Sequence, residues 1–366
     1  MMTTKTDRVL TYGELFCGPG GMACGATQVK AHSAHGRTYR IEHTWASDID
    51  LDACKTYRRN ICPEDPDSVY HSDVRKLKFT QLRSVDILAF GFPCNDFSTL
   101  GEQRGLKGNY GSLYKHAARA LKYFRPMFFV AENVHGLKLL SNGDGLSAVF
   151  KEFAAAGYKL VPHLYHFEDY GVPQARHRII IVGVRSDLKH TFKIPAPTHH
   201  KHVSCKHALE KYPIKPDTPN HERTIQSQTV IDRLSHIKPG ENAWNANLPR
   251  HLKLHVKGAW ISQIYRRLDS RLPSYTVTGS GGGGTHVYHW KENRALTNRE
   301  KARLQTFTDK FVFEGKKDSV RRQVGMAVPP RAAKVIFRAI LNTIAGVPYR
   351  SVETNLPHIT PQPQKR

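Results

Sequence analysis

The segment VLTYGELFCGPGGMACG (residues 9–25) changes character halfway along. Val9 to Phe16 form a short apolar run of strand type, and glycines crowd the residues after it. Gly18, Gly20 and Ala23 fit the spacing G-x-G-x-x-G/A, which after a strand lets the backbone turn tightly and approach a ligand. A structural turn fits the same spacing, so the neighbours carry the weight. TWASDI (44–49) reads as the next strand and ends at Asp48, with Asp50 and Asp52 close behind. A carboxylate there can hydrogen-bond ribose hydroxyls. Turn and acid together suggest a cofactor containing adenosine.

Outward from this unit, strand and helix signals alternate to about residue 185. DACKTYRRN (52–60) reads as a helix and VDILAFGF (85–92) as a buried strand. SLYKHAARALKYF (112–124) has helical spacing, with Leu113, Ala117, Leu121 and Phe124 on one face. MFFVAENV (127–134) is a strand, GLSAVFKEFAAAG (145–157) a helix stopped by Gly157, and RIIIVGVR (178–185) a further strand. The alternation predicts an α/β fold with a doubly wound, mostly parallel sheet, whose ligands bind at the carboxyl ends of the strands. From 187 to about 262 Pro, His, Lys and Asn dominate and periodicity fades, as in a loop-rich second module. Helical patterns return in LTNREKARLQTF and RAAKVIFRAILNTIA, and the end of the chain is polar and Pro-rich.

The 366 residues carry a formal charge of +24, dispersed along the chain, which favours a polyanionic partner such as nucleic acid. No run of eighteen apolar residues predicts a membrane span, and the N-terminus lacks a signal peptide's apolar core. The six cysteines show neither CxxC pairs nor finger spacing, so they read as reduced thiols in a cytoplasmic protein with no metal site.

Four further places carry candidate chemistry. Cys94, in GFPC, opens a loop at a strand end, with Arg104 and Lys107 following; position argues against an inert thiol. Glu132 ends a nearly all-apolar strand, where a carboxylate is costly unless bound or partly protonated, and a raised pKa would suit a general acid; it could also cap the next segment. Arg176 and Arg178, two apart in QARHR, can point to one face, toward an anion or a base carbonyl, or form an exposed edge pair. Asp73, in HSDV, is placed to meet an adenine amino group or to cap a turn. Nucleophilic Cys, acidic Glu and an arginine pair beside an adenosine pocket describe covalent activation of an electron-poor ring.

At this point the sequence resembles the cytosine-C5 DNA methyltransferases, the enzymes dependent on S-adenosyl-L-methionine that are common in bacterial restriction-modification systems. ELFCGPGG is similar to their DLFxGxGG, GFPCNDFS to GFPCQxFS, ENV to ENV, QARHR to QxRxR, RALTNRE to RxLTxRE, and RRQVGMAVPP to a closing QVGNAVPP. The order is that of the family over nearly the whole chain. The resemblance implies that Cys94 attacks C6 of a flipped cytosine, Glu132 holds N3 and the exocyclic amine, Arg178 meets the base carbonyl and Arg176 supports the site. It implies a cofactor pocket of Phe16, Gly18, Gly20, Gly21, Asp48, Ile49, Asp73, Val74, Pro93, Leu113, Met326 and Ala327. Ser98 and Arg104, in a closing loop from about 95 to 112, and Gly281 and Gly282, in a run of four glycines, would touch DNA. The implied organisation is a catalytic domain over 1–186, a smaller target-recognition domain over 187–295, a segment over 296–355 returning to the first domain, and a tail from 356. The partners implied are double-stranded DNA and a separately acting restriction endonuclease, with the enzyme itself a monomer.

Two positions depart from the family pattern. Asn95, followed by Asp96, replaces the Gln after the cysteine, and Met326 replaces the Asn of the closing motif. Two other readings compete: a tRNA-methylating branch, which is similar but carries PPCQPFT and a CFT signature absent here, and a non-catalytic DNA-binding relative, which would be expected to lose Cys94, Glu132 or an arginine.

Overall fold

The computed structural model describes residues 7–92, 113–134, 144–254, 263–279 and 281–356. The chain forms two compact units. The first takes Met1–His166, His177–Pro197 and Ala332–Arg366; the second takes Phe167–Arg176 and Thr198–Arg331. This division differs from the sequence-based bounds: the helices between 298 and 326 fall in the second unit, and the return begins only at Ala332.

In the first unit β1 (Arg8–Leu15) runs into the glycine turn and α1 (Gly21–Ala26). There follow β2 (Lys30–His32), β3 (Thr38–Asp48), α2 (Leu51–Ile61), β4 (Val69–His71), β5 (Ile87–Gly91), α3 (Leu113–Phe124), β6 (Phe128–Val134), α4 (Asp144–Ala155), β7 (Tyr158–His166) and β8 (His177–Arg185). The sheet order is β2-β3-β1-β5-β6-β8-β7, with β4 beside β3. β1 is parallel to β3 and β5, β5 to β6, and β3 to β4. The mostly parallel sheet is therefore present, but β8 runs antiparallel to both β6 and β7. Sequence reasoning missed β7, whose Pro162 argues against a strand. β7 lies at the sheet edge, where a missing N–H is tolerated.

Alternation along the strands gives the sheet two apolar faces. Leu15, Leu88, Phe90 and Phe129 pack on one face with α3 and α4, including all four residues of the expected α3 face. Tyr12, one face over, meets Phe337 of the C-terminal helix edge-on at 5.6 Å. That helix, Pro330–Ala345, continues to a short strand, Ser351–Val352, paired with Ile194–Pro195.

The second unit is loop-rich, as its composition predicts. Its helices are short: Cys205–Glu210, Gln228–Ser235, Asn298–Leu304 and Lys317–Met326. Leu234, Ile237, Leu248, Ile264, Tyr265 and Tyr288 form a small core. With no strand ladder among its described residues, this unit satisfies loop carbonyls with buried arginines. Arg267 donates to the carbonyls of His289, Leu234, Ile237 and Glu292, and Arg299 to those of Pro219, Thr308 and Phe311. Among the described residues no helix is long and apolar enough to cross a membrane.

Candidate active site

β5 ends at Gly91, in register with Glu132 of β6. A Cβ on Gly91 would stand 3.3 Å from Glu132 Oε2, so the glycine of GFPC leaves room for that carboxylate. Glu132 and Arg178, at the start of β8, form an ion pair with Nε 2.9 Å from Oε1, and the two side chains are only 12% and 13% exposed. Arg178 also donates Nη1 to the His177 carbonyl at 2.8 Å. The cost of burying the Glu132 carboxylate is thus offset by a partner charge.

Asn133, the middle of ENV, is buried and donates Nδ2 to the Phe92 carbonyl at 3.1 Å, while its Oδ1 accepts the Val134 N–H at 2.8 Å. It fixes the backbone leading to Pro93. No role was assigned to it from sequence; the available signal was an amide beside the acid at a strand end. Pro93, Cys94, Asn95, Asp96, Ser98, Arg104 and the expected closing loop lie outside the described residues.

The glycine turn stands at the end of β1, beside that of β3. Phe16, Gly18 and Gly20 have φ of 53°, 52° and 92°, a backbone path that favours glycine, which occupies two of the three positions. The Gly18 N–H donates to Asp48 Oδ2 at 2.8 Å, and Asp48 Oδ1 accepts the Asp50 N–H at 2.8 Å. Asp48 therefore braces the turn through the N–H groups of Gly18, Asp50 and Ile49; burial raises its pKa. Asp50 caps α2 through the N–H groups of Asp52 and Ala53. A Cβ on Gly18 would meet nothing within 4 Å, and Ile49 beside it is an exposed apolar side chain, so space and an apolar wall adjoin the turn. Gly21 starts α1; Val74 and Leu113 are core residues. Asp73 is tied to Arg75, whose Nε lies 2.9 Å from Oδ2 and whose guanidinium pulls the carboxyl down to about 2.

The arginines of QARHR part ways. Arg176 belongs to the second unit, is buried, and donates to the carbonyls of Val277 at 3.1 Å and Gly325 at 3.0 Å. β8 begins only at His177, so Arg176 precedes the strand and is not held to the alternation that the expectation of two arginines on one face assumed. Gln174 joins the same knot, accepting the Val277 N–H and donating to Gln305 Oε1 at 2.9 Å. Met326 is exposed at the end of its helix and Ala327 is buried. Gly281 and Gly282 lead into the turn Gly283–Thr285.

A family model described as C-5 cytosine-specific DNA methylase matches residues 10–342. The chain belongs to this family. It is a DNA (cytosine-5-)-methyltransferase by that membership. It is 52% identical to the type II methyltransferase M.BbvI of Brevibacillus brevis over 93% of each chain, and 37% identical to M.NgoFVII of Neisseria gonorrhoeae over 89% of this chain and 85% of the relative. A solved structure, a putative DNA modification methyltransferase encoded within a prophage of E. coli, shares the fold. Its TM-score is 0.70 at 24% identity, covering 92% of this chain and 99% of the other.

Proposed function

We propose that the methyltransferase acts on a cytosine flipped out of duplex DNA, with Cys94 as nucleophile. The observation that carries this reading is the largely buried Glu132–Arg178 pair beside the end of β5, the strand that leads to Cys94. A carboxyl group there faces N3 and the exocyclic amine of cytosine, and a guanidinium faces the ring carbonyl. Together they withdraw electron density, so the Cys94 thiolate adds to C6 and C5 becomes nucleophilic. After C5 takes the methyl group its proton leaves, the C6–sulfur bond breaks and the thiolate is released. The target base is inaccessible within the stack, which makes flipping part of the reaction.

Bound S-adenosyl-L-methionine supplies the electrophilic methyl group. The open space at Gly18, the apolar Ile49 and Phe16, and the Asp48 carboxylate suit an adenosine moiety, with Gly20, Gly21, Asp73, Val74, Pro93, Leu113, Met326 and Ala327 as further lining. Arg176 and Gln174 support the site by holding the second unit's own backbone. That unit reads the sequence and meets phosphates, Gly281 and Gly282 among the contacts, while Ser98 and Arg104 belong to the loop that closes on DNA. We place the enzyme in the bacterial cytosol as the monomeric modification partner of a separately acting restriction endonuclease.

Incubation with tritiated S-adenosyl-L-methionine and separate DNA and tRNA substrates tests the reading. Label should enter DNA, and Cys94→Ser should abolish incorporation while duplex binding survives. Label in tRNA alone, or an active Cys94→Ser, would refute it.

A further inference from the structure

Beside the Gly283–Thr285 turn, inside the second unit, lies a group of basic side chains, among them two buried nitrogens without a hydrogen-bond partner. Lys301 is 4% exposed on the helix Asn298–Leu304. Its ammonium lies in the fields of Glu300 and Asp318 and, against them, of Arg321 and Lys317. His286 closes the turn, and its Nδ1 is buried without a hydrogen-bond partner; so is Nε of Arg321, from the helix Lys317–Met326. The Arg321 side chain passes beneath Gly281, where a Cβ would stand 3.8 Å from both Cδ and Nε. Part of that side chain, 20%, remains exposed.

The two acids whose fields reach Lys301, Glu300 and Asp318, are already engaged by arginines. Glu300 is held by both terminal nitrogens of Arg294 at 2.8 Å. Asp318 is largely exposed and accepts one Arg321 nitrogen at 2.8 Å. Lys317 adds a further positive charge, with Nζ bonded to the Arg223 carbonyl at 2.8 Å. Burial, then the fields of Arg321 and Lys317, push Lys301 down to about 8. A buried ammonium among further positive charges is expensive, and buried nitrogens without a partner, such as those of His286 and Arg321, call for a ligand, an ion or a water.

We propose that Lys301 and Arg321, lined by His286, form a subsite for one phosphodiester of the DNA strand passing Gly281. A phosphate brings the charge that the group lacks and acceptor oxygens for its donors. The glycines above it carry no Cβ, so a backbone can come close. Such a contact positions the DNA without reading its sequence. The proposal rests on DNA being the substrate, and goes beyond that reading by naming the residues that hold one phosphate.

Fluorescence anisotropy of a labelled duplex over a salt series tests it, with Lys301→Met and Lys301→Arg beside the wild type and thermal melts to establish folding. Each phosphate contact contributes about one unit to the slope of log affinity against log salt. Lys301→Met should lose about one unit, equally on duplexes of unrelated sequence, and Lys301→Arg should keep it. If Lys301→Met does not fold, Arg321→Gln should show the same loss. A folded Lys301→Met or Arg321→Gln with the wild-type slope overturns the subsite while leaving DNA methylation standing. Absence of duplex binding by the wild type itself would overturn both, and the tritium assay tells these failures apart.

Discussion

Glu14 is the residue most at odds with its surroundings. It lies on β1 just before the glycine turn, 1% exposed, with one oxygen accepting from Tyr57 Oη at 3.3 Å and the other buried without a hydrogen bond. Burial pushes its pKa up to about 8, and the nearby Asp48 adds to the shift. Between the ordinary carboxylate value and 8 the folded protein therefore holds a proton that the unfolded chain has released. The folded state binds more protons in that window, so stability is greatest below it and falls as pH rises through it. Glu14→Gln keeps a neutral group of the same shape. Thermal melts should show a flatter pH dependence from 5 to 8 for this variant, and at pH 8 a gain on the order of a few kcal/mol, the cost of proton uptake on folding that the variant no longer carries. Parallel curves for the two proteins would mean that Glu14 is ionised and accommodated.

At the scale of elements, close approach is set by glycines. A Cβ on Gly325 would lie 2.0 Å from the Gly279 nitrogen and 2.1 Å from the Thr278 carbonyl carbon, both backbone atoms that no rotamer change can move. The helix Lys317–Met326 lies directly on residues 278–279, and Arg176 supports the arrangement by donating to the Gly325 carbonyl. Gly325→Ala should cost about 3 kcal/mol or more in denaturant unfolding, the upper range for overpacking. Gly18→Ala offers a contrast: it meets open space and pays only for its positive φ, about 1–2 kcal/mol. Equal losses in the two variants would contradict the packing argument. Much of the first unit was legible because its strands and helices bury local, periodic faces: α3 shows every expected residue buried. What escaped depends on distant partners. β7 hides behind Pro162 until its edge position is known, and Arg176 has its bonding decided by carbonyls about a hundred residues or more away. The motif spacing located Glu132 and Arg178, but neither their pairing nor the Asn133 tether to Phe92 follows from spacing.

Across the whole molecule, 55 basic residues face 31 acidic ones, and the acids are partly spent inside. Glu132, Asp73, Asp309 and Glu300 each pair with an arginine of their own unit. Such pairs cancel locally, so the surplus positive charge remains for solvent and for a polyanion. Binding DNA then releases condensed counterions in proportion to the phosphates neutralised. With 6–10 such contacts, raising salt from about 50 to about 200 mM should weaken duplex affinity by roughly 10³–10⁵. The loss should be similar for duplexes of any sequence, because it comes from the backbone. Thermal melts over the same range separate this from unfolding, since exposed ion pairs contribute little to stability. A flat affinity across that range, with the protein folded throughout, would mean that the positive surface does not meet the duplex and that recognition rests on base contacts alone.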